Sequence, residues 1–360
     1  MPYDEALDFL FALPRFTQVG ADAYKPGLDR IRALMEAFGN PHEAFSSIHI
    51  AGTNGKGSTA AMVAAIGTAS GGSVGLHTSP HLLDFAERMR INGRPADHGW
   101  ISEAVSDHKT LFREIGASFF EASVALSFLY FADMQVDAAV VEVGMGGRLD
   151  ATNILVPTVC GITHIGLDHT EELGSTRAEI AREKGGIAKA GVPLLSLVEG
   201  EDARNALRGT VLALGASFED VNQTTSVLED EDGVHFKTPV NVYTIPALDL
   251  IGNHQVANAR LAVRLAEVVW EGLATDAVQK GLLETRNLSG LRGRLETMSE
   301  DPRIMVDVAH NPDGWNAALK EVRHLTSGTL YVAVGVMRDK NLDALCDLLS
   351  AYDVVALPVG

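Results

Sequence analysis

The sequence predicts an α/β fold: a mostly parallel β-sheet with flanking helices, followed by a smaller α/β domain. Short apolar segments alternate along the chain with amphipathic stretches, which is the pattern of strands joined by helices. Some segments are continuously apolar, as in AAVVEV at 138–143, and such runs are typical of strands buried on both faces. The chain has 360 residues, which is too long for one ordinary domain and suits two.

The first predicted domain covers residues 1–294 and contains most of the strands. Its strands are predicted at 47–51, 73–77, 138–143, 158–162 and 193–197. Its helices are predicted at 58–69, 99–115, 119–133, 176–189 and 255–286. Residues 199–250 carry alternating patterns and few long helical stretches, which predicts a small antiparallel region at the edge of the sheet.

The second predicted domain covers residues 295–360 and has a Rossmann-like order of strands and helices. Strands are expected near Arg303 and in the segments 329–337 and 354–360, with helices from about Gly314 and at 341–351. A unit of about 65 residues is small for an independent domain.

The composition is that of a globular protein and excludes some partners. Apolar residues make up 46% of the chain, charged residues 21%, and the formal net charge is −18. So acidic a surface argues against nucleic-acid binding, which needs Lys and Arg on the phosphates. No apolar run reaches the roughly 18 residues of a membrane span, and no basic region precedes an apolar run at the N-terminus. We expect a cytoplasmic monomer that acts on small molecules and contacts no membrane.

Two cysteines, Cys160 and Cys346, lie in apolar runs without metal-ligand spacing. We interpret both as small buried residues of a protein from a reducing compartment.

A glycine-rich loop at 52–58 (GTNGKGS) follows the first predicted strand and opens a helix. Its glycines allow the backbone to approach phosphate oxygens, and the helix N-terminus offers free N–H groups. Lys56 is suited to neutralise phosphate charge and Ser58 to ligate Mg²⁺. The loop departs from the strict pattern G-x₄-G-K-[ST] because Gly57 separates Lys56 from Ser58, so a flexible turn is the competing interpretation. A lysine and a hydroxyl at fixed offsets favour a P-loop-type site.

Glu142 ends a buried strand, and a carboxylate there is costly unless it is paired or bound to metal. Because ligands of open parallel sheets bind beyond the carboxyl ends of the strands, Glu142 is suited to hold Mg²⁺. An ion pair with Arg148 is the alternative, and both interpretations are compatible.

His169 follows another predicted strand and has Asp168 beside it. This placement makes it a candidate for a second metal site, although Mg²⁺ usually prefers oxygen ligands. Lys184 lies on a predicted helix, where a lysine is ordinarily solvated, and spacing alone does not single it out.

Five ordered motifs together resemble the folylpolyglutamate synthase/dihydrofolate synthase family of the Mur ligase superfamily. They are GTNGKGS, TSPHLLDFAERMRING, EVGMGGRLDATN, IGLDHTEELGSTRAEIAREKGGIAKAG and DVAHNPDG, and the resemblance runs from about residue 15 to 345. It implies an ATP-dependent ligase that phosphorylates the carboxylate of dihydropteroate or a reduced folate to an acyl phosphate. The α-amine of L-glutamate then attacks and phosphate leaves.

The resemblance also implies roles for individual residues. Lys56, Lys184 and His169 fall at catalytic positions, and Lys184 matches a lysine that the family carries carbamylated. Two Mg²⁺ sites are expected from Ser58, Ser79, Glu142 and His169. The nucleotide positions are Thr53, Asn54, Gly55, Lys56, Gly57, Ser58, Asn258, Arg294, Asp307 and His310. A strand-end cap is the alternative for Asp307.

The folate-side positions lie in three short segments. They are Gly27, Leu28, Asp29, Arg30, Phe120, Glu121, Leu149, Asp150 and Ala151. A core aromatic is an equally weighted interpretation of Phe120. Members of the family usually run some tens of residues beyond Gly360, so the resemblance also implies that the second domain, 295–360, is incomplete. Two other functions compete with the ligase: a nucleotide-binding module that is inactive because its second domain is incomplete, and a small-molecule kinase.

Overall fold

The computed structural model describes residues 1–14, 27–335 and 342–358. Their contacts define two compact units, the first comprising Met1–Asp249 with Asn258–Leu291 and the second Leu250–Ala257 with Arg292–Gly360. The division after Leu291 falls three residues before the expected boundary, and the segment 250–257 joins the second unit. None of the helices described is long and apolar enough to cross a bilayer.

The first unit is built on one eight-stranded sheet. Its strands are β1 (Ser46–Ala51), β2 (Val74–His77), β3 (Met89–Ile91), β4 (Arg94–Pro95), β5 (Ala138–Glu142), β6 (Val159–Ile162), β7 (Pro193–Ser196) and β8 (Ser217–Asp220). Their spatial order is β4-β3-β2-β5-β1-β6-β7-β8. The six adjacent strands β2-β5-β1-β6-β7-β8 pair parallel to one another. At the edge next to β2, β3 and β4 pair antiparallel. The predicted mostly parallel sheet is confirmed.

Helices cover both faces of this sheet. They are α1 (Tyr3–Ala12), α2 (Asp29–Ala37), α3 (Lys56–Ala69), α4 (His98–Ile115), α5 (Phe119–Asp133), α6 (Thr170–Leu173), α7 (Arg177–Gly185), α8 (Glu201–Ala213), α9 (Val221–Thr224), α10 (Asn253–Val269), α11 (Thr275–Leu283) and α12 (Thr285–Ser289). One core cluster packs α1, α2, α4 and α5 against Ala139 and Val141 of β5. A second packs α7 and α8 against β6 and β7.

The helix α3, which follows the glycine-rich loop, is almost wholly buried. Most of its side chains are small, so neighbouring elements can pack closely against it. Of its residues, the run from Gly57 to Gly67 is buried without interruption. Gly281 of α11 lies where a Cβ atom would come within 2.6 Å of the Ile66 Cα atom, so α11 crosses α3 at close range. The loop that precedes α3 is therefore mounted on a rigid, enclosed element.

Several predicted boundaries were wrong. Residues 199–250 hold the helix α8 and a strand, β8, that extends the parallel sheet; the predicted antiparallel part is β9 (Ser226–Asp230), β10 (Gly233–Lys237) and β11 (Val242–Ile245). The helix predicted to reach residue 189 ends at Gly185. The predicted helix 255–286 is three helices, and Gly272, with φ +69°, lies at the first break.

The second unit has its own small core. Its elements are the antiparallel pair β12 (Glu296–Glu300) and β13 (Arg303–Val306), helix α13 (Pro312–Leu325), strand β14 (Leu330–Val334), helix α14 (Leu342–Ala351) and strand β15 (Val354–Pro358), which pairs parallel with β14. Trp315, Leu319, Leu345 and Leu349 form its buried cluster. The ends of two predicted strands, 336–337 and 359–360, lie outside the described residues.

The two cysteines differ in burial. Cys160 in β6 is fully buried, as predicted, whereas Cys346 on α14 is exposed. The prediction for Cys346 was wrong because α14 turns Leu345 and Leu349 toward the core and places the residue after Leu345 on the opposite side.

Candidate nucleotide and substrate site

The glycine-rich loop joins β1 to α3 and is shaped by two glycines that admit no side chain. Gly52 has φ +156°, and a Cβ atom on it would lie 1.9 Å from Oγ1 of Thr163. Gly55 has φ +87°, and a Cβ atom on it would lie 2.4 Å from Oδ1 of Asn258. Asn258, a nucleotide position implied by the resemblance, belongs to the first unit and lies against this loop.

The segment after β6 holds the loop in place. The Thr53 backbone N–H donates to the His164 carbonyl at 2.7 Å, and the Gly166 N–H donates to the Thr53 hydroxyl at 3.0 Å. Thr163 donates from Oγ1 to the Asn54 carbonyl at 2.7 Å. The Thr53 side chain therefore supports the loop. No local pattern identifies Thr163 or Gly166 as supports of the loop, because their partners are 109 and 113 residues away.

Lys56, Gly57 and Ser58 form the first turn of α3, where helix N–H groups lack partners within the helix. The Lys56 ammonium donates to the Thr53 carbonyl at 3.1 Å and so lies over the loop itself. The Ser58 hydroxyl is buried in the same turn. A positive charge, a helix N-terminus and a hydroxyl thus meet at the carboxyl end of β1, which is the composition of a phosphate and magnesium site.

Glu142 lies beside this turn on the neighbouring strand. It ends β5 in register with Ile50 of β1, and only 5% of its surface is exposed. Its Oε2 accepts the backbone N–H of Ser79, which follows β2 on the other side of β5, at 3.2 Å. Arg148, the ion-pair partner that the sequence offered for Glu142, donates from Nε to Oε2 of Glu183 at 3.0 Å. The predicted metal positions Ser79 and Glu142 are in contact.

Lys184 is buried at the end of α7. It is 5% exposed, since the backbone of the 144–150 loop (Gly144–Asp150) lies on it: a Cβ atom on Gly147 would come within 2.8 Å of the Lys184 carbonyl oxygen. Burial, together with the nearby Lys56 ammonium, lowers the Lys184 pKa to about 7, against the opposing influence of Asp168, Asp150 and Glu183. A large neutral fraction at neutral pH makes this amine a nucleophile.

His169 begins the short helix α6 in a left-handed conformation, with φ +50°. Its Nε2 is 3.9 Å from Oδ1 of Asp168. Among the residues that the structure describes, no three His, Cys, Asp or Glu side chains gather into a metal cluster. The donors present are mostly oxygens of separate strands and one helix turn. This set fits a Mg²⁺ that completes its coordination with phosphate and water rather than a cage made by protein alone.

The folate-side segments contact one another in pairs. Arg30, in the first turn of α2, donates from Nε to Oε2 of Glu121 on α5 at 3.0 Å. Glu121 also closes a capping box with Ser118 and is 5% exposed. Phe120 packs on Gly144, where a Cβ atom would lie 2.4 Å from its ring. Gly27 and Leu28 precede α2, and Asp29 begins it.

Asp150 has a local structural role that its motif did not reveal. It caps the short 3-10 helix Ala151–Ile154 by accepting the Thr152 N–H at 3.0 Å, and its Oδ2 accepts the Met145 N–H at 2.9 Å. Burial raises the pKa of this carboxyl group, against the lowering effect of these hydrogen bonds. The flanking Leu149 is half-buried and Ala151 is buried.

The second unit holds the remaining nucleotide positions. Asp307 accepts the N–H groups of Leu295 at 2.9 Å and Ala309 at 2.7 Å, which is the strand-end cap that the sequence analysis offered as the alternative. Arg294 donates to the Gly293 carbonyl at 3.1 Å, and Nδ1 of His310 is 3.2 Å from the Val308 carbonyl. The three predicted positions therefore belong to the two segments that flank the β12–β13 hairpin.

The phosphate loop at the carboxyl edge of a parallel sheet defines a nucleotide-binding α/β protein. Residues 50–266 match the family model described as Mur ligase middle domain, and residues 293–357 match the Mur ligase glutamate ligase domain. The dihydrofolate synthase/folylpolyglutamate synthase of Bacillus subtilis is 34% identical over 88% of this chain and 76% of its own. A solved complex of a folylpolyglutamate synthase with AMPPCP and folate has a TM-score of 0.87 at 32% identity, covering 100% of this chain and 90% of the other.

A probable bifunctional folylpolyglutamate synthase/dihydropteroate synthase of Haloferax volcanii is 40% identical over 95% of this chain, which spans 41% of that relative's length. The chain belongs to the Mur ligase family, and within it to the folylpolyglutamate synthase/dihydrofolate synthase family. The resemblance drawn from the five motifs is confirmed.

Proposed function

We propose that this chain is an ATP-dependent ligase that joins L-glutamate to the carboxylate of dihydropteroate, of reduced folates, or of both. The observation that carries the proposal is the placement of Lys56 and Ser58 in the first turn of α3, which follows β1, and of Glu142 at the end of the neighbouring strand β5. Its membership of the family and its likeness to a complex with AMPPCP and folate support it. The site belongs to a cytoplasmic monomer that uses small-molecule substrates.

The reaction has two displacements. A carboxylate oxygen of the pteridine substrate attacks the γ-phosphorus of ATP, the bond to the β-phosphate oxygen breaks, and ADP leaves. The amine nitrogen of glutamate then attacks the acyl carbon, phosphate leaves, and the nitrogen loses its proton. Lys56 and the N–H groups of the first turn of α3 stabilise the negative charge on the transferred phosphoryl group.

Magnesium fits the residues present. The Ser58 hydroxyl and the buried Glu142 carboxylate would hold one ion at the loop, and Ser79 and His169 complete the set implied by the family. When bound, such ions neutralise phosphate charge and orient the phosphates. The Ser79 N–H donates to this carboxylate and helps to orient it.

Carbamylation of Lys184 is part of the proposal. Its pKa of about 7 leaves a substantial fraction of the amine neutral near neutral pH, and a neutral amine attacks CO₂ and loses a proton to form a carbamate. The product is an anion beside Lys56, so it gains an attraction where the protonated form of Lys184 meets a repulsion. Burial protects the carbamate from water.

The other positions divide between the two substrates. Thr53–Ser58, Asn258, Arg294, Asp307 and His310 serve ATP. Gly27–Arg30, Phe120, Glu121 and Leu149–Ala151 serve the pteridine substrate. The Arg30–Glu121 ion pair supports this division, since it connects two of the three segments assigned to the substrate. Phe120 also contacts Gly144, at the start of the loop that leads to the third segment.

ADP release separates the candidate activities. With dihydropteroate and ATP, a ligase forms ADP in proportion to added L-glutamate, whereas equal ADP formation without glutamate would identify a kinase. ATP binding without turnover would identify an inactive module. That last alternative is not favoured, because a second unit with its own core follows the first and matches the glutamate ligase model over residues 293–357.

A further inference from the structure

A fully buried histidine lies in the middle of the sheet, on the strand that leads into the phosphate loop. His49 of β1 is in register with Val141 of β5 and Cys160 of β6, and none of its surface is exposed. Its Nε2 is 2.8 Å from Oγ1 of Thr152, which is fully buried as well. Buried polar groups without partners are destabilising, so this pair calls for an account of its hydrogen bonds.

The hydrogen bonds continue from Thr152 to the 144–150 loop. The Thr152 hydroxyl donates to Oδ1 of Asp150, and the same oxygen accepts the Thr152 N–H at 3.0 Å. Oδ2 of Asp150 accepts the Met145 N–H at 2.9 Å. Two side-chain hydrogen bonds therefore connect the centre of the sheet to the carboxylate that shapes this loop.

The direction of each bond follows from the number of protons. An ionised carboxylate only accepts, so the single hydroxyl proton of Thr152 goes to Asp150. The Thr152 oxygen must then accept from Nε2 of His49, which fixes the neutral ring with its proton on Nε2. Nδ1 of His49 then carries no proton, and it is buried without a hydrogen-bond partner. Burial lowers the His49 pKa to about 3, so the ring stays neutral.

The 144–150 loop has contacts on both sides that matter for the reaction. Phe120 packs on Gly144, and Gly147 packs on the backbone of Lys184, both at distances that leave no room for a Cβ atom. A shift of this loop would therefore displace the substrate-side aromatic ring or the end of α7. An interaction that fixes the position of Asp150 therefore also fixes the positions of Phe120 and of the Lys184 backbone.

We propose that His49 is a positioning residue for the pteridine site: through Thr152 it orients Asp150 and so holds the 144–150 loop. The proposal rests on the proposed function, since Leu149 and Asp150 of this loop are assigned to the pteridine substrate there. His49 touches no substrate. A core histidine with a merely structural role would affect stability alone.

Two substitutions of equal polarity separate these roles. In His49→Gln the amide nitrogen lies near the position of Nε2 and can still donate to Thr152, whereas in His49→Asn it lies near Nδ1 and does not reach. We expect His49→Asn to raise the KM for dihydropteroate about three- to tenfold, as for one lost hydrogen bond, with the KM for ATP within about twofold. His49→Gln should restore the wild-type KM. Cys160→Ala, buried in the same row, is the control and should leave both KM values unchanged.

Nitrogen-15 NMR of the full chain tests the hydrogen bonds without turnover. The ring of His49 should be protonated on Nε2, and the Met145 amide should shift in His49→Asn but not in Cys160→Ala. A ring protonated on Nδ1, an unmoved Met145 amide, or equal KM changes in the Gln and Asn variants would overturn the proposal. If the wild type shows no glutamate-dependent ADP release, the proposed ligase function fails. The hydrogen-bond chain is then judged by the NMR result.

Discussion

Gly55 and Asn258 lie so close together that a Cβ atom on residue 55 would be 2.4 Å from the Asn258 Oδ1 atom. One residue belongs to the phosphate loop and the other to α10, and 202 residues of chain separate them. Residue 55 is therefore a glycine for two reasons: its φ of +87° disfavours other residues, and the contact with Asn258 leaves no space for a Cβ atom. It also places a polar amide beside the phosphates that the loop would bind.

Gly55→Ala should therefore weaken ATP binding more than backbone strain alone explains. Strain at positive φ costs about 1 kcal/mol, and the clash with Asn258 adds to it by displacing the loop. We expect the Kd for ATP, measured by calorimetry, to rise at least tenfold. Gly191→Ala is the control, because Gly191 has φ +77° and open space around it. Similar Kd changes in both variants would show that the contact with Asn258 is irrelevant.

Lys56→Ala should abolish glutamate-dependent ADP release while the protein remains folded. The lysine lies over the loop and supplies the positive charge for the transferred phosphoryl group, a contribution of at least about 3 kcal/mol to the transition state. The measurement is kcat with all substrates saturating, and circular dichroism checks the fold. Lys280→Ala removes an exposed lysine of the same unit and should keep full activity. Retained turnover in Lys56→Ala would refute the assignment of the phosphate loop.

Lys184→Met should increase stability at low pH and lose that advantage at high pH. The folded-state pKa of about 7 lies below the ordinary 10.5, so below pH 7 both states are protonated and the folded state carries the full penalty of a buried charge. Above pH 7 the folded state loses the proton first, and the penalty shrinks until pH 10.5. In bicarbonate-free buffer the variant should gain up to about 4 kcal/mol in the free energy of unfolding at pH 6 and little at pH 10.

Urea unfolding of wild type and Lys184→Met at both pH values measures this difference. Lys280→Met, at an exposed position, should stay within about 0.5 kcal/mol of wild type throughout. An equal gain for Lys184→Met at pH 6 and pH 10 would contradict the buried charge and indicate improved packing instead.

Arg30→Ala should raise the KM for the pteridine substrate and lower stability modestly. It leaves the buried Glu121 carboxylate without its arginine, although the Ser118 N–H still donates to that group at 2.8 Å. We expect a loss of about 1–2 kcal/mol in the free energy of unfolding and a KM several times higher. Arg32→Ala, an exposed position on the same helix, is the matched control. Identical kinetics in the two variants would remove Arg30 from the substrate site.

The predictions from sequence succeeded where the signal is local. The strands β1 and β5 and the helices α4 and α5 were placed within a residue or two, because apolar runs and helical periodicity mark them directly. They failed in 199–250, where α8 and β8 carry weaker patterns. The spatial order of the strands in the sheet could not be predicted, because it depends on contacts between segments that are distant in the chain.

The residues of the site divide in the same way. By itself the sequence determined the phosphate loop, Glu142 at a strand end and the parallel sheet that brings them together, since each depends on short-range glycine, charge or apolar spacing. Only the tertiary structure decided that Lys184 is buried with a lowered pKa, that Arg148 pairs with Glu183, and that His49 reaches Asp150 through Thr152. Burial and hydrogen-bond partners come from residues tens to a hundred positions away, and no local pattern records them.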